Sequence, residues 1–396
     1  MERSWVSLWV LLLLLSQWAS AVVEDGLLNN GDFETPPTRG FPNPRLAAGE
    51  DTTSLPGWTI NGTVELIESD QRQGGMILIV PQGKHAVRLG NEAEVSQDLE
   101  LEKGSTYSVT FSAARTCAQL EALNVSAAGA AAAAVDLQTL YSVEGWDAYA
   151  WAFQAQQEEG AEARLAFKNP GMEEDPTCGP VIDNIAIKKL FTPDRPEDNA
   201  VINGDFEEGP WVFPNATLGV LLPTNLDEET TSLPGWIVES NRAVRYIDSY
   251  HFNVPQGKRA IELLSGKEGI ISQMVETTPQ KKYGLTFTLG DAGDSCQLPL
   301  AVMAFAGDQA QNFHYSPMGN ATRQPANLTF TARAERTRVA FYSVYYNTRS
   351  DDRSSLCGPV VDEVRVWGVS ASARLNARGL IVFLLGMAVL FVLVLN

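Results

Sequence analysis

The chain has 396 residues, 44% of them hydrophobic, with 29 Lys and Arg against 48 Asp and Glu, so its net charge is −19. That length accommodates two ordinary domains. A surface this acidic repels nucleic acid and free polyanions and favours basic proteins or divalent cations, so nucleic-acid binding is excluded.

The first predicted element is a secretory signal peptide over residues 1–21. Arg3 precedes an apolar run from Val6 to Leu15, and Ala19 and Ala21 are the small residues a signal peptidase reads. The run is too short to span a bilayer. Five Asn-x-Ser/Thr sequons, at Asn61, Asn124, Asn215, Asn320 and Asn327, also mark a secreted glycoprotein.

Between the ends the chain is written twice. Asn30-Gly31-Asp32-Phe33-Glu34 returns as Asn203-Gly204-Asp205-Phe206-Glu207, and Ser54-Leu55-Pro56-Gly57-Trp58 as Ser232-Leu233-Pro234-Gly235-Trp236. Val80-Pro81-Gln82-Gly83-Lys84 returns as Val254-Pro255-Gln256-Gly257-Lys258, and Cys178-Gly179-Pro180-Val181-Ile182-Asp183 as Cys357-Gly358-Pro359-Val360-Val361-Asp362. The order is kept, which predicts two copies of one fold: residues 25–190 and 200–368, joined by a short stiff linker over 191–199 with two prolines and four charges.

Within each copy, short runs rich in Val, Ile, Thr, Tyr and Phe are separated by Gly, Pro and Asn, as in Tyr107–Phe111 and its match Tyr283–Phe287. This patterning predicts an all-β chain of two tandem antiparallel sandwiches. The alanine-rich run from Ala127 to Ala134 reads as a strand or loop despite its helical propensity, because its expected counterpart is Val302–Ala306. Cys117, Cys178, Cys296 and Cys357 allow three connectivities, and the repeat selects Cys117 with Cys178 and Cys296 with Cys357. A zinc site fails for want of four ligands at short spacing.

The last element is an apolar tail from Gly379 to Asn396 with no basic residue after it, preceded by Ser370-Ala371-Ser372 and a short polar spacer. This is the pattern of a glycosylphosphatidylinositol (GPI) signal, with residues 371–396 removed and lipid joined at Ser370; a retained single-span anchor is the alternative. Loss of Arg374 and Arg378 makes the mature chain more acidic still.

The paired motifs, with Gly145-Trp146-Asp147-Ala148-Tyr149-Ala150-Trp151, resemble the plant cell-wall family called domain of unknown function 642 over nearly all of Asp25 to Trp367. The resemblance implies two galactose-binding-like jelly rolls in a secreted, non-catalytic wall protein associated with pectin and pectin methylesterases. The opening Asn-Gly-x-Phe-Glu and closing Val-x-Asp are also similar to carbohydrate-binding modules of glycan hydrolases.

Trp58 and Trp236 are expected in the core, as are Tyr149, Trp151 and Phe153, which alternate on one strand face. Trp146, beside Asp147, is the candidate sugar contact, and its match in copy two is sought between Tyr315 and Asn320, which makes Tyr315 the second. Glu34 with Asp183, and Glu207 with Asp362, are candidate Ca²⁺ ligands if first and last strands adjoin; turn chemistry at Asp32 and Asp205 is the alternative. His85, His251 and His314 are not repeated between copies, and no nucleophile elbow, zinc helix or phosphate loop is present, so catalysis is not expected.

The expected function is binding of wall polysaccharide (pectin, cellulose or another glucan), with Ca²⁺ bridging or an arginine patch at Arg323, Arg333, Arg336, Arg338, Arg349 and Arg353 answering the charge of pectin. The alternative is a module that docks a basic wall enzyme such as pectin methylesterase through the acidic surface.

Overall fold

The computed structural model describes residues 25–369 except 38–54, 71, 74–75, 118–120, 128–129, 131–132, 138–144, 157–161, 172–177, 216–217, 241–242, 265–268 and 318–320. The signal peptide, Asn320, Ser370 and the apolar tail lie outside the described residues.

Copy one comprises β1 (Gly26–Leu27), β2 (Thr59–Asn61), β3 (Val64–Glu68), the ribbon β4 (Arg72–Gln73) and β5 (Met76–Ile77), β6 (His85–Leu89), β7 (Glu94–Glu100), β8 (Thr106–Ala114), β9 (Glu121–Ala127), β10 (Ala133–Leu137), β11 (Trp146–Gln154), β12 (Glu162–Lys168) and β13 (Val181–Leu190). Copy two comprises β14 (Val220–Leu221), β15 (Ile237–Val238), β16 (Val244–Asp248), β17 (Arg259–Leu263), β18 (Ile270–Glu276), β19 (Lys282–Asp291), β20 (Ala301–Ala306), β21 (Gln309–His314), β22 (Arg323–Thr331), β23 (Arg336–Ser343) and β24 (Pro359–Gly368).

In copy one the sheet β3-β6-β13-β8-β11 packs on β2-β7-β12-β9-β10; in copy two β16-β17-β24-β19-β22 packs on β15-β18-β23-β20-β21. The chain passes repeatedly from sheet to sheet, as a jelly roll requires. Alternation sets the faces: Tyr107, Val109, Phe111 and Ala113 of β8 point into the core, while Ser108, Thr110 and Ser112 point out of the sandwich.

The repeated motifs build one corner in both copies. Asn30 and Phe33 adopt left-handed backbone (φ 51° and 53°), as do Asn203 and Phe206 (50° and 54°). Such a conformation is costly for phenylalanine and persists only when its surroundings enforce it. Here both rings are fully buried, and the indole Nε1 of Trp58 donates to Asn30 O as that of Trp236 does to Asn203 O, each at 3.0 Å. Gly31 and Gly204 are required because a Cβ there would fall 2.2 and 2.1 Å from the carbonyl oxygens of Ile185 and Val364. Disulfides Cys117–Cys178 and Cys296–Cys357 close matching 61-residue loops.

The two sandwiches are not independent beads on a linker. β14, only two residues long, pairs in parallel with β11 at Tyr149↔Leu221 and antiparallel with β16, which joins the two five-stranded sheets edge to edge. Of the alanine run, Ala127 ends β9 and Ala133 and Ala134 open β10. Register matches Ala133 and Ala134 to Gln311 and Asn312 of β21 rather than to Val302–Ala306, since Ala133 opposes Val125 as Gln311 opposes Ala304.

Candidate functional site

Head-to-tail joining treats the two outer sheet faces differently. In copy one, Ser108, Thr110 and Ser112 of β8, Ala148 and Ala150 of β11 and Ala186 of β13 are all buried, at 2% exposure or less. The segment before β14 covers them: Trp211 and Phe213 pack on Ala186, and Val212 joins the cluster that holds Ala148 and Ala150. Lys188 Nζ fastens the cover by donating to Gly209 O at 2.9 Å and pairing with Glu208 at 3.2 Å. The hydroxyls of Ser108, Thr110 and Ser112 and the Nε1 of Trp211 have no hydrogen-bond partner beneath it.

In copy two the matching face is open. Strand register places Gly284, Thr286 and Thr288 where copy one has Ser108, Thr110 and Ser112, and Trp367 where it has Lys188. Trp367 is 41% exposed, and its ring lies across Gly284 so closely that a Cβ there would sit 3.0 Å from the indole. Arg365, Asn327 and Thr329 are exposed on the same face around it. Beside Trp367 opens a cleft of about 1370 Å³ between the linker and the end of copy two, lined among others by Arg195, Glu276, Tyr283 and Arg336. An indole face beside hydroxyls and a guanidinium is suited to stacking on a sugar ring and bonding its hydroxyls. The sequence carries a signal for this surface in the alternation Val364-Arg365-Val366-Trp367, which turns Arg365 and Trp367 outward.

The expected ligand aromatics fall elsewhere. Trp146 opens β11 and is 8% exposed, packed with Ile67, Leu78, Ala86, Ala114 and Val181, so it offers no free face. Its counterpart in copy two is Arg323, since Trp146 opposes Ala114 as Arg323 opposes Gly290. Tyr315 is a core residue at 9% exposure. The aromatics expected inside (Trp58, Trp236, Tyr149, Trp151 and Phe153) are buried.

The four acidic candidates staple one loop in each copy. Glu34 Oε1 accepts N–H from Lys84 at 2.6 Å and His85 at 3.0 Å, and Asp183 Oδ2 accepts from Gln82 at 3.1 Å. Glu207 accepts from Lys258 and Arg259, and Asp362 from Gln256, in the same pattern. In copy one the first strand adjoins the last, β1 with β13, and in copy two the opening segment meets β24 through Ala200 N–H to Val366 O, yet N–H donors point at these oxygens where a calcium ion would need further oxygen ligands. Burial pushes the Asp183 carboxyl well above the usual carboxylate range, and burial likewise pushes Asp362 up to about 8. Glu34 is shifted down: desolvation is outweighed by the N–H groups of Lys84 and His85. Among the described residues, the one trio of His, Cys, Asp or Glu close enough to share an ion is Cys117, Glu121 and Cys178, and its two sulfurs are joined as a disulfide.

The arginine patch is largely neutralised. Arg333 pairs with Asp308 (2.5 Å), Arg336 with Glu228 (3.7 Å), Arg338 with Glu239 (2.5 Å) and Arg349 with Asp351 (2.8 Å). Arg323 donates to Pro255 O and Gln256 Oε1.

A family model described as "Protein of unknown function (DUF642)" matches residues 26–188 and 199–367. The chain belongs to the DUF642 family. Its DUF642 relatives in Arabidopsis thaliana include Protein DUF642 L-GALACTONO-1,4-LACTONE-RESPONSIVE GENE 1, 49% identical over 88% of this chain and 93% of that protein. Protein TEEBE is 43% identical over 86% of this chain and 91% of its own length. Neither the family description nor these names specify a reaction. Solved structures similar to this DUF642 chain include the tandem CBM22-1-CBM22-2 domains of Paenibacillus barcinonensis Xyn10C, at 14% identity and a TM-score of 0.30, covering 88% of this chain and 99% of that one. TmCBM61 in complex with β-1,4-galactotriose matches at 18% identity and a TM-score of 0.28, over 42% of this chain and 99% of that one. Likeness at this level assigns no ligand to the DUF642 chain. The paired disulfides accord with an extracellular DUF642 protein.

Proposed function

We propose that this chain is a secreted, non-catalytic, GPI-anchored plant cell-wall protein that binds wall polysaccharide through the open sheet face of copy two. The observation that carries this reading is Trp367, exposed and laid across Gly284 on a face that nothing else in the chain covers among the described residues. With most of the arginines around copy two paired to carboxylates and a net charge of −19, a neutral glucan or galactan suits the surface better than pectin. The sequons supply glycans on the same secreted surface, and the anchor at Ser370 keeps it at the membrane's outer leaflet.

The test is a wall-polysaccharide array probed with the mature protein and with Trp367→Ala, at two salt concentrations and with and without chelator. Binding that survives salt and chelator but disappears in the variant is the expected result. Equal binding by both proteins would remove copy two's open face from consideration.

A second reading is favoured by the acidity alone: docking of a basic wall enzyme such as pectin methylesterase, with encounter sped by opposite charge. Its mark is steep weakening as ionic strength rises.

A further inference from the structure

The alanine-rich hairpin borders the seam between the two copies. A cleft of about 680 Å³ opens there, walled by Ala133 and Ala134 of β10, by β11 from Tyr149 to Gln154, and by the segment after β14 that includes Thr224 and Asn225. Its size falls within the range of small-ligand pockets. It exists because the hairpin is thin: where copy one has Ala133 and Ala134, copy two has Gln311 and Asn312. None of the described residues that line it is charged, although the chain carries 77 formal charges, 29 basic and 48 acidic.

Two further features set the ligand's chemistry. Ala133, Ala134 and Ala152 line the cleft at half-exposed or exposed positions, a shallow apolar wall for one face of a ligand. β11 is bonded along its length to β8, but on its other edge it pairs with β14 only at Tyr149, so backbone N–H and C=O groups beyond that point face the cleft. An uncharged ligand with an apolar face and a rim of hydroxyls meets both.

We infer that the seam cleft is a second binding site, for a short neutral saccharide, formed only where the two copies meet. It stands beside the Trp367 reading, and either can fail alone.

The decisive experiment titrates the mature protein calorimetrically with neutral β-linked tetrasaccharides of glucose, xylose and galactose, with tetragalacturonate as the charged control. Ala133→Gln/Ala134→Asn fills the cleft with copy two's own residues at half-exposed and exposed positions, and Gln156→Ala/Thr224→Ala trims its exposed polar rim. Each variant is made in the Trp367→Ala background, which silences the open face; expected there is binding of a neutral tetrasaccharide that weakens at least tenfold when the cleft is also filled and about threefold when its rim is trimmed, with no counterpart for tetragalacturonate. The inference is overturned if Trp367→Ala binds no neutral tetrasaccharide at millimolar concentration, or if the filled variant binds as Trp367→Ala does.

Discussion

Arg245 and Glu262 face each other on β16 and β17, and at the same two positions copy one carries Glu65 and Arg88, the same pair with its charges exchanged. In copy two the pair is fully buried: Nε of Arg245 donates to Glu262 at 2.7 Å, its Nη2 reaches Asp294 at 2.5 Å, and its Nη1 donates to Leu218 O, tying down the segment that leads into β14. The guanidinium also lies over Phe252 at 4.7 Å. The copies have thus kept the interaction while reversing its direction.

That reversal predicts an asymmetry. In copy one, exchanging the charges with Glu65→Arg/Arg88→Glu should recover most of the stability lost by either change alone, because Glu65 is partly solvent-exposed. In copy two, Arg245→Glu/Glu262→Arg should fail to recover it, since the new carboxylate would face Asp294. Each single change in copy two sets like charges against each other in the core, a loss of at least the roughly 3–5 kcal/mol that removing one partner of a buried pair costs. Urea unfolding of the six variants beside the parent checks the pattern.

Stability should fall as pH rises. Asp362 is held up to about 8 by burial, against about 3.9 in the unfolded chain, and Asp183 is shifted in the same direction. Between those values the folded state binds more protons than the unfolded one, so the contribution is fully present below about pH 4 and is lost as pH climbs toward 8. The slope from one such group reaches about 1.4 kcal/mol per pH unit. Thermal midpoints from pH 4 to 8 should decline in the parent and decline less steeply in Asp362→Asn, where the Asp183 contribution remains and the amide oxygen still accepts from Gln256.

Thr110→Val should stabilise the chain. The Thr110 hydroxyl is buried under the cover segment without a partner, and valine keeps its shape while removing the unmet polar group, a gain of about 1 kcal/mol. A lower denaturation midpoint than the parent would mean that the hydroxyl is bonded in solution. Trp211→Ala, by contrast, should expose the face of copy one and speed amide exchange along β8.

Glycosylation at Asn327 should modulate binding at the open face. Asn327 opposes Thr286, which opposes Arg365, one row from Gly284 and Trp367. Asn327→Gln, or enzymatic deglycosylation, is expected to strengthen Trp367-dependent binding to an immobilised neutral glucan several-fold; unchanged binding would place the glycan clear of the face.

Much of this protein is legible in one dimension because its signals are local. The duplicated turns, the cysteine spacing and the alternation in segments such as Tyr107–Phe111 specify two sandwiches whose Trp58 and Trp236 lie inside, since turn chemistry and period-two burial act over a few residues. The tertiary structure alone decided which outer face stays open. A two-residue strand, Val220-Leu221, is too short to stand out in a sequence, yet it sets copy two's segment over Ser108, Thr110 and Ser112 and leaves Trp367 uncovered. The same holds for Trp146, whose place in a packed cluster and whose counterpart Arg323 depend on strand register. Exposure is a property of what packs on a residue, and here that neighbour lies in the other copy of the repeat.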